Sequence, residues 1–140
     1  MSGVSRTIQI SAACQTVYDV VTDFAAYPEF LPDVKTTTLM HQTDTTCDVE
    51  FVTRIMKDIH YTLRFTLNPP HSVQWYLLEG DAMKSNDGEW GLTPAGRSTN
   101  ATYTIEVQFG ALVPRFVTNV LVEANLPELL RRVKERAEAI

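Results

Sequence analysis

The stretch FAAYPEFLPDV, residues 24–34, combines two prolines with several large apolar side chains. The residue before a proline is biased away from helical geometry, which restricts the positions before Pro28 and Pro32. Pro28 also suits the first position of a helix, so the segment can form about one helical turn and no more. Loops normally run over the protein surface. A segment this apolar, which we call the elbow, is therefore expected to cover an apolar part of the molecule.

A strand and a helix are predicted before the elbow. Residues 4–10 alternate between mostly apolar and polar side chains, which is typical of a strand. Ser11 is a candidate N-cap for the segment that follows. From Val17 to Phe24, apolar residues recur at i, i+3, i+4 and i+7, which predicts an amphipathic helix of about three turns. The elbow therefore begins where this helix ends.

Strand patterns dominate the middle of the chain. Residues 47–55, 59–67 and 101–109 alternate cleanly with a period of two. One face of each strand is then buried and the other is solvated, as in an antiparallel sheet. Arg54 and Arg64 fall on the solvated faces and are expected to be hydrated. Turn residues separate the runs, and the count is seven strands including the first.

The last segment predicts a long helix that starts near Pro114. One apolar stripe at helical spacing ends at Ala124, and a second, rotated about the axis, begins at Leu126. Pro127 lies between the two stripes. A proline in a helix interior removes one backbone hydrogen bond and tends to kink the helix. We therefore predict one long helix with a kink near Pro127.

These elements predict an α+β protein in which a sheet curls around the C-terminal helix. A helix of about 24 residues is roughly 36 Å long but only about 10–12 Å wide. Seven strands spaced about 4.8 Å apart form a sheet close to 30 Å across, which one helix cannot cover if the sheet is flat. A curled sheet can leave an apolar space beside the helix, with the elbow over its mouth. The alternative is that the same aromatic side chains fill the core completely.

Size, charge and cysteine content exclude some classes of protein. A chain of 140 residues with a net charge of −5 is expected to form one domain without a nucleic-acid partner. No stretch approaches the roughly 18 apolar residues of a membrane span, and the first residues lack the pattern of a signal peptide. Cys14 and Cys47 show no motif spacing and are expected to be reduced thiols. We expect a cytoplasmic protein; transient membrane contact and the oligomeric state stay open.

Three segments and their order resemble a known superfamily. They are VYDVVTDFAAYPEFLPDV (17–34), WYLLEG (75–80) and GEW (88–90), followed by the long C-terminal helix. The combination, which runs from Ile8 to Ala137, is similar to the START-like (SRPBCC) superfamily in its polyketide cyclase/dehydrase and coenzyme Q-binding branch. The resemblance implies the helix-grip fold: a curved seven-stranded antiparallel sheet around a long C-terminal helix, with two short helices after the first strand. It also implies a hydrophobic tunnel.

The resemblance implies several functions and selects none of them. One departure concerns residues 80–83, which read Gly-Asp-Ala-Met where the toxin and quinone-binding branch usually has Gly-Pro-Phe. Fold alone does not supply the chemistry. The leading hypothesis is a binding protein for a lipid-like, quinone-like or polycyclic molecule. The alternatives are an enzyme of the polyketide cyclase/dehydrase kind and a toxin-like or respiratory-chain interaction protein.

The sequence contains no assembled catalytic set. His41, His60 and His71 lie outside metal-ligand spacing from one another and from the cysteines, so no metal site is predicted. No nucleophile motif or glycine-rich phosphate loop occurs, and no cofactor is predicted. Glu79 would have a raised pKa and could act as an acid or base if it were buried, but it is expected in water at the rim.

Trp75 and Trp90 are the strongest candidates for the wall of a cavity, with ordinary core packing as the alternative. Asn86 shares strand parity with Trp90 and can point inward, or it can belong to a solvated turn at Asn86-Asp87-Gly88. Glu79, Asn86 and Tyr103 are the groups to test for a chemical role. The predicted ligand-binding residues are mostly aromatic or aliphatic: Tyr27, Phe30, Leu31, Phe51, Tyr61, Trp75, Met83, Asn86, Trp90, Tyr103, Phe116 and Val120.

Overall fold

A single antiparallel sheet forms most of the molecule. The structure, a computed structural model, describes residues 3–55, 57–110 and 115–140. Its seven strands lie in the order β1-β7-β6-β5-β4-β3-β2. The strands are β1 (Val4–Ile10), β2 (Val34–Gln42), β3 (Thr46–Ile55), β4 (Lys57–Asn68), β5 (Ser72–Gly80), β6 (Met83–Ala95) and β7 (Ser98–Phe109). Consecutive strands from β2 to β7 are neighbours, and β1 returns to pair with β7.

Three helices accompany the sheet. They are α1 (Cys14–Val21), α2 (Tyr27–Phe30), which follows a 3₁₀ turn at Phe24–Ala26, and α3 (Arg115–Glu138). The sheet curves around α3, which confirms the predicted helix-grip fold of the α+β class. The helix α3 continues through Pro127 without interruption. No helix in the described part of the chain combines the length and apolar content needed to cross a membrane.

The start of α1 differs from the prediction. The N-cap is Ala13, which makes no side-chain capping bond, and Ser11 lies outside the helix. The backbone N–H of Ser11 instead donates to Oε2 of Glu138 at 2.8 Å. A tertiary contact with the end of α3 therefore replaces the local cap. The helix is also shorter than predicted, because Phe24 belongs to the 3₁₀ turn rather than to α1.

The core lies between the concave face of the sheet, the two short helices and the C-terminal half of α3. Val17 and Val21 of α1 are almost completely buried, and Leu130 and Val133 of α3 are buried with them in the same cluster. Full burial of such a side chain contributes about 1.5–3 kcal/mol. The second apolar stripe of α3 therefore serves the core, as its spacing predicts.

The outer face of the sheet contains an ion pair that corrects the prediction for Arg64. Its guanidinium group donates to both carboxylate oxygens of Asp48, from Nε at 2.8 Å and from Nη2 at 2.9 Å. The Asp48 side chain is only 4% exposed, whereas that of Arg64 is 40% exposed. The Arg64 hydrogen bonds lower the pKa of Asp48, and burial opposes them only in part. Arg64 is therefore half-buried and paired rather than hydrated.

Candidate functional site

A cavity lies between the concave face of the sheet and α3, and it has two adjoining chambers. The outer chamber has a volume of about 200 Å³ and is bounded by the C-terminal end of the elbow, the sheet and α3. The inner chamber, of about 150 Å³, lies against strands β3 to β7. Leu31, Tyr61, Tyr103 and Leu129 line both chambers. The described side chains therefore leave open space between the sheet and the helix.

Aromatic rings form a connected wall along the inner chamber. Phe51 and Tyr61 stack with their centroids 5.3 Å apart and their planes 8° from parallel. Phe65 contacts Trp75 at 5.6 Å, and Trp75 contacts Tyr103 at 5.6 Å. Each such pair contributes about 0.5–1.5 kcal/mol beyond the buried area. The rings therefore form a continuous aromatic lining of the inner chamber.

The Trp75 side chain reaches from β5 across the neighbouring strand β6. Its position on β5 pairs with Gly88 on β6, and its indole lies across that glycine. A Cβ atom at Gly88 would come within 2.1 Å of the ring. The indole Nε1 donates to Oδ1 of Asn86 at 3.1 Å. Gly88 thus provides the space that lets Trp75 reach Asn86.

Asn86 lies inside the cavity and not in a solvated turn. It is 6% exposed and lines both chambers. The strand β6 begins at Met83, and a register shift between Met83 and Ser85 brings both Met83 and Asn86 to the concave face. The sequence around Asn86 and Gly88 also suits a turn. The alternation along the strand therefore does not decide whether Asn86 points inward or lies in a solvated turn. The bulge, which the sequence does not reveal, decides between them.

Three tyrosine hydroxyl groups differ in their hydrogen bonding. Tyr27 Oη donates to the carbonyl oxygen of Val21, and Tyr61 Oη lies 2.8 Å from Thr53 Oγ1. Tyr103 is 9% exposed; its side chain lines both chambers, and its hydroxyl is joined to no described residue by a hydrogen bond. Burial raises the pKa of Tyr61 to about 12. It also raises the pKa of Tyr103, with Tyr61 as the second cause, so both phenols are neutral at physiological pH.

The rim of the outer chamber is polar. Asp33 at the end of the elbow and Asn125, Glu128 and Arg132 on α3 contribute to its lining. Arg132 Nε donates to Glu128 Oε1 at 2.7 Å, and this bond helps to lower the pKa of Glu128 after the larger effect of Arg131. The three rim residues on α3 were not predicted, since their positions resemble those of any solvated helix face.

The elbow is fastened to both neighbouring elements. Arg136 of α3 donates from Nη2 to Glu29 Oε1 at 3.2 Å, and its guanidinium carbon lies 4.9 Å from the centre of the Phe30 ring. On the other side, Thr37 Oγ1 donates to the carbonyl oxygen of Phe24 at 2.7 Å. The aromatic side chains of the elbow therefore face inward, and its polar contacts hold it across the cavity.

Most of the predicted ligand-binding residues come together around the cavity. Both chambers are lined by Leu31, Tyr61, Asn86 and Tyr103. The inner chamber alone is lined by Tyr27, Phe30, Phe51, Trp75 and Trp90, and the outer chamber alone by Met83. The side chains of Phe116 and Val120 lie outside the part of the chain that the structure describes. The described lining of α3 comes instead from residues further along the helix, including Val122, Leu126 and Leu129.

The charged residues that line the cavity are confined to the outer chamber. Glu79 is exposed near the end of β5 and lines neither chamber. His41, His60 and His71 are also exposed. Within residues 3–55, 57–110 and 115–140, no three His, Cys, Asp or Glu side chains are grouped for a metal ion, and no charged side chain lines the inner chamber. The polar groups that a guest would meet there are neutral.

A curved sheet around a C-terminal helix, with an apolar cavity between them, defines a START-like helix-grip protein. The sequence model of the family described as "Polyketide cyclase / dehydrase and lipid transport" matches residues 1–138. The chain belongs to this family, which confirms the resemblance to the polyketide cyclase/dehydrase group. No protein with a curated description matches the chain.

Solved structures support the same fold. The chain is similar to the Zhui aromatase/cyclase from Streptomyces sp. R1128, with 19% identity, a TM-score of 0.87 and coverage of 97% of this chain and 93% of that chain. It is also similar to a START superfamily protein from Mycobacterium smegmatis, with 21% identity and a TM-score of 0.87 over 98% of this chain and 97% of that chain. A third similar structure is a STAR-related lipid transfer protein from Xanthomonas axonopodis, with 18% identity and a TM-score of 0.79 over 96% of this chain and 85% of that chain. At these identities the similarity establishes the fold.

Proposed function

We propose that this protein binds a hydrophobic small molecule of the lipid-like, quinone-like or polycyclic kind in the two-chambered cavity. The observation that carries the proposal is the unfilled space of about 200 Å³ and about 150 Å³ between the sheet and α3. Ligand sites are typically concave and mostly apolar, with a few placed polar groups. The aromatic wall and the neutral side chains of Asn86 and Tyr103 match that description.

The chemistry of the lining supports binding rather than acid–base catalysis. A general acid or base acts best with a pKa near the working pH. Burial raises the pKa of Tyr61 to about 12, and it also raises that of Tyr103. The carboxylates of Asp33 and Glu128 lie on the rim of the outer chamber, away from the aromatic wall. The inner chamber is therefore suited to hold a guest without exchanging protons with it.

The family description supports a second candidate, an enzyme of the polyketide cyclase/dehydrase kind. Such a reaction can be promoted mainly by holding a reactive chain in a productive shape. Asn86 and Tyr103 are the polar groups that would contact the polyketide, because both line the two chambers. Glu79 is too exposed to take part. Release of a cyclised product from a linear polyketide on a catalytic timescale would favour this candidate over simple binding.

Native mass spectrometry tests the binding proposal directly. The protein is purified from its own host without denaturation and is expected to carry a small molecule. The same sample sprayed under denaturing conditions provides the control, since the extra mass should then be lost. A mass equal to that of the bare chain in every preparation would contradict stable binding of a cellular ligand.

Tryptophan fluorescence provides a second measurement. The chain has two tryptophans, and both line the inner chamber. A bound aromatic guest such as 1-anilinonaphthalene-8-sulfonate should therefore quench their emission. Trp90→Phe keeps an aromatic ring in the wall and should retain binding with a weaker signal. An unchanged emission spectrum at saturating probe concentrations would argue against access to the inner chamber.

A further inference from the structure

The unpaired hydroxyl of Tyr103 has a fixed position where the two chambers meet. Its ring lies 5.6 Å from that of Trp75 and 4.8 Å from that of Trp90. The side chain is 9% exposed and lines both chambers. Packing on two sides leaves the ring little freedom, so the hydroxyl presents one direction to a guest.

The neighbouring phenols show that this unpaired group is not a general property of the cavity. Tyr61 pairs with the Thr53 hydroxyl, and Tyr27 donates to the Val21 carbonyl oxygen. Buried polar groups are nearly always hydrogen-bonded in native proteins, so each exception needs an explanation. The Tyr103 hydroxyl, which lines both chambers and is not bonded to a described residue, is therefore available to a bound molecule.

Asn86 offers a second donor on the same cavity. An indole N–H can only donate, so its bond from Trp75 identifies the Asn86 atom at 3.1 Å as the carbonyl oxygen. The amide nitrogen then points elsewhere, and its partner in the structure is the Met83 sulfur at 3.8 Å. Sulfur is a weak acceptor. The Asn86 N–H₂ group can therefore donate to a better acceptor in a bound molecule.

We infer, on the basis of the proposed function, that Tyr103 selects guests that carry a carbonyl oxygen within the body of the molecule rather than only at its end. The hydroxyl remains protonated because burial raises its pKa. It therefore acts as a donor, and its complement is an acceptor such as a ketone or quinone oxygen. A guest with a methylene group at the same place leaves the buried hydroxyl unpaired, which costs binding free energy.

The matched probes 9-fluorenone and fluorene test this selection. They share one flat tricyclic skeleton and differ by a carbonyl in place of a methylene group. Equilibrium dialysis measures both affinities without a spectroscopic change. We expect the wild-type protein to bind 9-fluorenone about tenfold more tightly than fluorene, which is the range of one net hydrogen bond. The comparison needs no variant and so does not depend on whether a variant folds.

Two phenylalanine variants assign the preference to one hydroxyl. Tyr103→Phe should remove most of the preference for 9-fluorenone and leave the affinity for fluorene nearly unchanged. Tyr18→Phe is the control, since the Tyr18 hydroxyl is buried without a partner and the residue lines neither chamber. It should keep the wild-type preference. Thermal unfolding followed by circular dichroism confirms that both variants are folded.

The outcomes separate the inference from the proposed function. Equal binding of both probes to the wild type, or a preference that survives in Tyr103→Phe, would overturn the role of Tyr103 and leave the proposed function intact. Failure of the wild type to bind either probe would contradict both the proposed function and the selection. A preference lost in Tyr103→Phe and kept in Tyr18→Phe supports the inference.

Discussion

Gly88 is the residue on which the arrangement of the inner chamber most depends. The Trp75 indole occupies the space where a side chain would begin, and it reaches Asn86 only because that space is free. Asn86 in turn accepts from Trp75 with its carbonyl oxygen and donates its amide nitrogen to the Met83 sulfur. One glycine thus positions both an aromatic wall and a polar anchor, although its backbone conformation is that of an ordinary strand.

Gly88→Ala should therefore destabilise the protein and disturb the cavity. The new Cβ would lie 2.1 Å from the Trp75 ring, so the indole must shift and lose its bond to Asn86. We expect a loss of about 1–3 kcal/mol in the free energy of unfolding, as for other overpacked cores, together with a change in tryptophan emission. Chemical denaturation followed by fluorescence measures both.

Gly91→Ala is the matched control for this prediction. It lies on the same strand, and a Cβ atom there would have no neighbour within 4 Å. Its free energy of unfolding should stay close to that of the wild type or rise slightly. Equal effects of the two substitutions would show that the Trp75 contact is not what makes residue 88 sensitive.

Asp48 provides a pH-dependent part of the stability. Arg64 lowers the pKa of Asp48 in the folded state, so the folded carboxyl group binds its proton less readily than the unfolded one. The resulting stability is fully present above the unfolded pKa of about 3.9 and is lost as the pH falls through the folded pKa. Asp48→Asn should reduce the free energy of unfolding at pH 7 by about 1–2 kcal/mol.

Denaturation curves between pH 7 and pH 2 check the Asp48 prediction. As the pH falls, the free energy of unfolding of the wild type should approach that of Asp48→Asn, so the two plots of stability against pH should converge. The magnitude is modest because Arg64 remains 40% exposed and stays partly hydrated without its partner. A constant difference between the two proteins at every pH would contradict a titrating role for Asp48.

Among the elements, the strands were predicted most fully from the sequence. The alternation in residues 59–67 and 101–109 reappears as a more buried and a less buried face of β4 and β7, although Thr62 is buried as well. Period-two patterns report directly on burial, so the concave face could be predicted from them. The bulge after Met83 could not, because an extra residue changes the phase of the strand without leaving a sequence pattern.

The helices were predicted less accurately at their ends. Ser11 satisfies the usual preference for an N-cap, yet its N–H bonds to Glu138 from the far end of the chain. Long-range contacts of this kind do not appear in a local pattern. The same reason explains why Thr53 was missed as a lining residue: its place on the outer chamber depends on where α3 and the elbow lie.

The elbow is expected to move more easily when its contact with α3 is removed. Arg136 joins α3 to the elbow through Glu29 and through the Phe30 ring. Exposed ion pairs contribute about 0–1 kcal/mol and exposed cation–π contacts about 0.5–1 kcal/mol. Arg136→Gln should therefore change the global free energy of unfolding little. It should accelerate hydrogen exchange at Leu31, whose N–H donates to the Tyr27 carbonyl oxygen.

Arg131→Gln is the control for the elbow. Arg131 forms its ion pairs with Glu128 and Glu135, both of which lie within α3. Its removal should leave exchange in residues 27–31 at the wild-type rate. If Arg136→Gln also leaves that rate unchanged, the contact between Arg136 and the elbow does not restrain it.

At the scale of the whole molecule, the cavity follows from a mismatch of widths. A helix about 10–12 Å wide does not fill the concave face of a seven-stranded sheet. The helix α1 and the elbow, which contains α2, close part of the space, and two chambers remain. The sequence predicts the mismatch but not the remaining volume, because that volume depends on how far each side chain reaches.

The central claim is that this remaining space is open to a guest, and X-ray diffraction from crystals pressurised with xenon tests it most directly. Xenon enters apolar cavities that are empty. We predict anomalous scattering from xenon in the inner chamber, next to Trp75, Trp90 and Tyr103, with little movement of the surrounding backbone. A chamber filled by the protein's own side chains, with no xenon bound there, would contradict the claim.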